Sequence, residues 1–139
     1  MYFHEIIADI KAVPQGYTIV SAFSSDLNCN VGIQKAIGEM FDLNERKDHI
    51  KVSKSGNLAK IDNLYLLIVK ESSYDAPVWE RFKESIEEFK KKCVKNHITR
   101  IAMPRILVGK NGFEWDDVFD LLIDTFSDMY GQILICKQE

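Results

Sequence analysis

The residues best suited to holding an anion lie in one stretch, Met103-Pro104-Arg105-Ile106-Leu107-Val108-Gly109-Lys110-Asn111-Gly112-Phe113-Glu114-Trp115. It reads as the end of a strand, a glycine-bearing turn and the start of a helix. Pro104 removes a ladder donor, while Gly109 and Gly112 permit left-handed or close-approach backbone that a side chain would block. The helix that follows presents unpaired N–H groups and the positive end of its dipole, the usual physical basis for binding phosphate. The same pattern also serves as a plain connection between a strand and a helix. A second junction of this kind is Ser24-Ser25-Asp26-Leu27-Asn28-Cys29-Asn30. Other reactive side chains form no constellation. Cys29, Cys93 and Cys136 are odd in number and far apart, with no paired histidines, which excludes a disulfide framework and a zinc site. His4, His49 and His97 are scattered, so no metal ligand set is expected.

These junctions must be placed by strands and helices, which the apolar pattern locates. Residues 2–8 and 17–23 read as strands, the second rich in β-branched and aromatic side chains, with Pro14-Gln15-Gly16 as the turn between them. Ile33, Ile37, Met40 and Phe41 mark a short amphipathic helix over 31–41. Residues 58–61 and 64–70 form a hairpin around Asp62-Asn63, its second arm apolar enough for the interior of a sheet and closed by Lys70. Phe82, Ile86, Phe89 and Cys93 repeat at helical spacing within 77–95, and the lysines and glutamates between them make a solvated face. A strand over 98–103, a helix over 113–129 through Val118, Leu122 and Phe126, and a strand over 132–136 complete the order. This alternation predicts an α/β fold, a mixed sheet between helices, with ligand loops at the carboxyl ends of its strands. Three such loops follow Phe23, Val69 and Met103.

Bulk properties bound the partners. At 139 residues and 46% hydrophobic, the chain suits one compact domain with a substantial core. A formal charge of −3 argues against a general nucleic-acid-binding surface. The N-terminus lacks a basic region followed by an apolar run, and no apolar stretch reaches the length of a membrane span. A soluble cytoplasmic protein with reduced thiols is the expectation.

The order and spacing of the three loops make the chain resemble a macrodomain over almost its full length. The resemblance is to the branch containing terminal ADP-ribose protein glycohydrolase and ADP-ribose 1''-phosphate phosphatase. Its pieces are Ala8-Asp9-Ile10, Ser24-Ser25-Asp26 with Val31-Gly32-Ile33, Leu67-Ile68-Val69-Lys70, and Met103-Pro104-Arg105-Ile106 followed by Gly112-Phe113-Glu114-Trp115. It implies a single macrodomain over 1–139, a three-layer α/β/α sandwich with a mixed central sheet, that binds ADP-ribose without a cofactor. Asp9, with Ile10 beside it, would accept a hydrogen bond from the adenine amino group; read without the family, that aspartate is a turn or helix cap. Ser24 and the loop through Asn30, Val31, Gly32 and Ile33 would wrap the distal ribose and diphosphate. The second phosphate loop would comprise Pro104, Arg105, Ile106, Leu107, Val108, Gly109, Lys110 and Gly112.

The chain departs from the family at three points. Asn30-Val31-Gly32 replaces a Gly-Ala-Gly-like run, with asparagine as the residue that tolerates positive φ. Leu107-Val108-Gly109 replaces a Gly-Cys-Gly-like run, so bulky side chains narrow the cleft or push the loop outward. Lys70 stands at the position of the lysine that attacks the anomeric carbon, where desolvation favours the neutral amine; on its residues alone it is a surface lysine beside Glu71. The aspartate partnering that lysine in terminal ADP-ribose protein glycohydrolase is Asn111 here, which orients water or a hydroxyl but removes no proton. Asp26 is then a carboxylate available to act instead. Bacterial antitoxin macrodomains that remove ADP-ribose from thymidine resemble the chain at Lys70 and at Gly112-Phe113-Glu114-Trp115, and do not rely on that aspartate. Trp115 and Glu114 are assigned to packing and helix N-terminal charge.

The resemblance thus implies hydrolysis of an ADP-ribose derivative (an ADP-ribosyl ester, a nucleobase adduct or ADP-ribose 1''-phosphate) by a monomer with Lys70 as nucleophile. Its partners would be ADP-ribose or an ADP-ribosylated protein, nucleobase or metabolite. The alternative is a non-catalytic reader of ADP-ribose or a related nucleotide metabolite. A third reading is a fold turned to protein assembly, its cleft filled by Leu107 and Val108.

Overall fold

The computed structural model describes residues 1–30, 32–107 and 112–137. Val31, Val108, Gly109, Lys110 and Asn111, all singled out above, lie outside the described residues. Seven strands form one sheet: β1 (Tyr2–Ile7), β2 (Thr18–Ser24), β3 (Lys51–Val52), β4 (Leu58–Ile61), β5 (Leu64–Lys70), β6 (Arg100–Pro104) and β7 (Gln132–Lys137). Their spatial order is β1-β7-β6-β2-β5-β4-β3. The first five of these run parallel, and the β5–β4 and β4–β3 pairs are antiparallel. The carboxyl ends of β2, β5 and β6 therefore come together at one edge, with β2 between the other two.

Alternation along each strand divides the core into two layers. Val20 and Ala22 of β2, Tyr65, Leu67 and Val69 of β5, and Ile101 and Met103 of β6 face α2 (Trp79–Lys95) and α3 (Trp115–Thr125). Those helices answer with Phe82, Ile86, Phe89 and Cys93, and with Val118 and Leu122; Phe126, just past α3, completes the set. Ile19, Phe23, Leu64, Leu66 and Ile68 point the other way, onto Ile37 and Phe41 of α1 (Gly32–Phe41). The run Leu64–Val69 is wholly buried because it is covered on both faces, which is why it reads as a continuous apolar stretch.

Several boundaries differ from expectation. The helix anticipated over 113–129 is Trp115–Thr125: Glu114 is extended at its start, and Phe126 leaves helical geometry as it enters the core. The strand anticipated from residue 98 begins at Arg100. After α2, His97 takes φ of 55° and the Ile98 N–H returns to the Cys93 carbonyl at 2.9 Å, so residues 97 and 98 serve to close the helix. Neither β3 nor the 3-10 turns Ile10–Ala12 and Lys47–His49 is foreseen by periodicity, since each is only two or three residues long. The first two strands in the chain are not neighbours, because β7 and β6 lie between them.

Candidate functional site

The edge where β2, β5 and β6 end carries a cleft of about 630 Å³, in the size range of small-molecule sites. One wall comes from the β2–α1 junction: Ser24, Asn28, Asn30, and Ile33 and Gln34 from the first turn of α1. A second wall is the end of β5 and the segment after it, with Lys70, Ser73, Tyr74, Asp75 and Pro77. Arg105, Leu107 and Gly112, around the end of β6, form the third. Among the described residues, no group of three histidine, cysteine, aspartate or glutamate side chains could hold a metal ion.

Asp26 organises the first wall. Its carboxylate accepts from the Ser24 hydroxyl, from the Asn28 N–H at 3.2 Å and, across the cleft edge, from the Ser73 N–H at 3.1 Å. The Ser24 hydroxyl, followed by the Ser73 and Asn28 amides, holds this exposed carboxyl below its ordinary pKa. Leu27 turns through positive φ within this loop, and the Asn28 side-chain amide donates to Ser73 Oγ at 3.1 Å. Positive φ falls on Leu27 and Gly32, not on Asn30, so the glycine replaced by asparagine is not where this loop needs left-handed backbone. Gly32 opens α1 at φ 61°, and no acidic side chain occupies that helix's first turn to neutralise its positive pole.

Lys70 is placed by an irregularity in the sheet. Phe23 pairs with Ile68 but Ser24 pairs with Lys70, leaving Val69 as an extra residue that re-aims the end of β5. The Ser25 N–H then reaches the Lys70 carbonyl at 2.8 Å, and the half-buried ammonium donates to the Ser73 carbonyl at 3.1 Å. Arg81 of α2 clamps both loops through Glu71 at 2.5 Å and Ser25 Oγ at 3.3 Å. Arg105 crosses the third wall, stacked 5.1 Å over the Trp115 ring and paired with Glu5 of β1. Beyond it Leu107 takes φ of 61°, and its carbonyl accepts the Phe113 N–H at 2.7 Å, closing the loop. Among the described residues, the cleft lining therefore sets two cations, Lys70 and Arg105, against one carboxylate, Asp75, in a chain of net charge −3.

Of the residues singled out from the sequence, Ser24, Asn30, Ile33, Lys70, Arg105, Leu107 and Gly112 line this cleft. Gly32 opens the adjacent helix without itself appearing in the lining. Ile10 and Ile106 instead bury their side chains in the two core layers, and Pro104 is buried at the β6 end beside Cys136. Asp26 also lies outside the lining, its carboxylate engaged by the three donors that hold the loop. Asp9 follows β1; one oxygen caps the 3-10 turn by accepting the Lys11 N–H at 2.9 Å, and its charge, after burial, pushes the Cys136 thiol up. Leu107 lines the cleft, and Val108, the other residue of the reading in which bulky side chains fill the space, lies outside the described residues. The segment Ser73-Tyr74-Asp75 and the side chain of Gln34 were not anticipated. The signal for the first was a polar loop directly after Lys70 with Tyr74 as its one large side chain, which the fold leaves 94% exposed; nothing in the sequence marked Gln34.

No family model matches the chain. It is 30% identical over 127 residues to the ADP-ribose glycohydrolase OARD1 of Bos taurus, an overlap of 85% of this chain and 80% of that protein. The macrodomain of Thermus aquaticus DarG has the same fold, with a TM-score of 0.74 at 13% identity over 96% of this chain and 97% of its own. Thermosipho africanus DarTG, solved in complex with ADP-ribose, matches with a TM-score of 0.60 at 15% identity over 84% of this chain and 37% of its own. With 30% identity over most of both sequences, on a sheet and helix order shared with macrodomains almost end to end, the chain belongs to the macrodomain family.

Proposed function

We propose that this macrodomain binds ADP-ribose in the cleft at the β2, β5 and β6 ends and hydrolyses an ADP-ribose derivative with Lys70 as nucleophile. The observation carrying the reading is the Lys70 amine on the cleft wall, tethered to the Ser73 carbonyl, in a chain that is 30% identical to an ADP-ribose glycohydrolase. In this reading the adenine lies toward Asp9, whose second oxygen has no hydrogen bond among the described residues. The diphosphate lies over the uncompensated N-terminus of α1 and beside Arg105, where backbone N–H groups, the dipole and the guanidinium favour its charge. The distal ribose then reaches Lys70, with Tyr74 available to cover it. Once its proton has passed to a carboxylate, the Lys70 amine attacks C1'' as the bond to the leaving carboxylate, base or phosphate breaks, and water afterwards frees the ribose from the lysine. Asp75 is the carboxylate in the described lining and takes the proton-transfer role; Asn111, the counterpart in the sequence of the aspartate that partners the lysine in the resembling branch, orients water.

Calorimetric titration of the wild type with ADP-ribose tests binding. Heat of binding is expected, with roughly tenfold weaker affinity in Asp9→Ala from loss of one hydrogen bond to the ligand. No heat and no competition at millimolar ADP-ribose would remove the function altogether. A screen of an ADP-ribosyl carboxylate ester, ADP-ribosyl thymidine and ADP-ribose 1''-phosphate identifies the leaving group. Binding without turnover of any of the three would leave the non-catalytic reader as the function.

A further inference from the structure

Beside the mouth of the cleft, a second depression of about 550 Å³ runs between α2 and α3. Its floor is apolar. Trp79, Phe113 and Leu121 are each half-buried there, and the Trp79 and Phe113 rings meet edge to face with centroids 4.9 Å apart. Its rim is acidic, with exposed Glu114, Asp117, Asp120 and Asp124 on the α3 side against the single cation Lys83 on α2. None of these four carboxylates belongs to an ion pair among the described residues. The helix dipole accounts for Asp117, in the first turn of α3. It does not account for Asp120 in the middle; Asp124, in the last turn, also lines the next depression along with Lys90, Lys91 and Lys95, which offset it. Exposed negative charge at Asp120, which neither the helix dipole nor an ion pair among the described residues offsets, points to a partner that compensates it.

The depression continues from the cleft on both of its loops. Pro77 and Gly112 line the cleft, and Trp79 and Phe113, two residues and one residue further on, line the groove. A group attached to ribose on the Lys70 side would leave the cleft over this floor. We infer that the groove docks the protein part of an ADP-ribosylated substrate, taking a peptide segment with an apolar side chain among lysines and arginines. The inference rests on the function proposed above and names its substrate class. The apolar side chain covers Trp79, Phe113 and Leu121, while the flanking cations meet the acidic rim. A nucleic-acid acceptor is disfavoured, because its phosphates would face those same carboxylates. Farther along, Lys90, Lys91 and Lys95 line the space between the helices together with Glu87 and Asp124, so the carboxylates there have cations beside them and the unmatched negative charge lies in the half of the groove nearer the cleft.

The test uses peptides carrying ADP-ribose on a side chain through a non-hydrolysable linkage, one flanked by Lys-Leu-Lys-Arg and one by Ser-Leu-Ser-Gly. Free ADP-ribose and an ADP-ribosylated thymidine oligonucleotide complete the set. The basic peptide is expected to bind about five- to tenfold more tightly than the neutral one at low salt, the effect of a few exposed charge pairs. That preference should shrink in about 0.5 M salt. It should vanish in the double variant Asp117→Asn, Asp120→Asn, whose affinity for free ADP-ribose stays that of the wild type. Equal affinity for the two peptides, with free ADP-ribose still bound, would overturn the groove and leave the cleft assignment standing. Tighter binding of the oligonucleotide than of the basic peptide would overturn the choice of a protein acceptor. Failure to bind even free ADP-ribose would instead overturn the function on which the inference rests.

Discussion

Asp26 and Lys70 illustrate how residue type alone leaves a role open. Both were singled out as candidate reactive groups, but the structure engages Asp26 with Ser24, Asn28 and Ser73, 47 positions away in the chain, and leaves Lys70 on the cleft wall. The contact with Ser73 is tertiary, so no local pattern announces it. Asp26→Ala is expected to weaken ADP-ribose binding about tenfold by calorimetry, because Ser73 and the Asn28 loop lose their common acceptor; unchanged affinity would remove Asp26 from the account. Its pH dependence has a definite sign. Because the native pKa is lowered from 3.8, chiefly by the Ser24 hydroxyl, the contribution is complete above that value and is lost as pH falls through the lower native one. The stability difference between wild type and Asp26→Asn in urea denaturation should therefore be constant between pH 5 and 8 and shrink only in acid below about pH 4. The positive φ of Leu27 and Leu107 was equally hidden, since expectation attached such backbone to Asn30 and the glycines.

At the scale of elements, the strands and helices that carry the core were legible because their periods are unambiguous. The covered strand β5 reads as an unbroken apolar run, and Phe82, Ile86, Phe89 and Cys93 recur at helical spacing on α2. Their junctions were not, because those depend on close backbone approach. Gly131 is one such place. It adopts φ of 136°, a Cβ there would collide with the Thr99 carbonyl oxygen, and its neighbours tie three strands together: the Tyr2 N–H reaches the Gly131 carbonyl and the Gln132 N–H reaches the Thr99 carbonyl, each at 2.8 Å. Gly131→Ala is expected to destabilise the fold by about 2–3 kcal/mol, combining strain with overpacking against backbone that cannot swing aside. Urea denaturation would register this as a lower midpoint at unchanged slope; a midpoint within error of the wild type would contradict the close approach. The register slip that leaves Val69 unmatched belongs to the same class, since nothing in Leu67-Ile68-Val69-Lys70 marks which residue is extra.

For the molecule as a whole, the two core layers seal all three thiols: Cys29, Cys93 and Cys136 are free and buried, and burial pushes the Cys93 thiol up to about 12. Iodoacetamide at pH 8 should modify none of them in the native protein and all three after denaturation, read by intact mass; rapid native modification would contradict the packing. The α/β alternation was readable from the apolar pattern, and family membership only through the resemblance that the loops carry in their order and spacing. The groove between α2 and α3 was not, because its floor and rim come from segments that only the packed helices bring together. The central claim, that Lys70 performs chemistry in an ADP-ribose cleft, is tested most directly by comparing wild type and Lys70→Ala on one ADP-ribosyl substrate that the wild type turns over. Loss of turnover by more than about a thousandfold, with affinity for free ADP-ribose within a few-fold of the wild type, is the expected result, whereas equal turnover by the two proteins would contradict it.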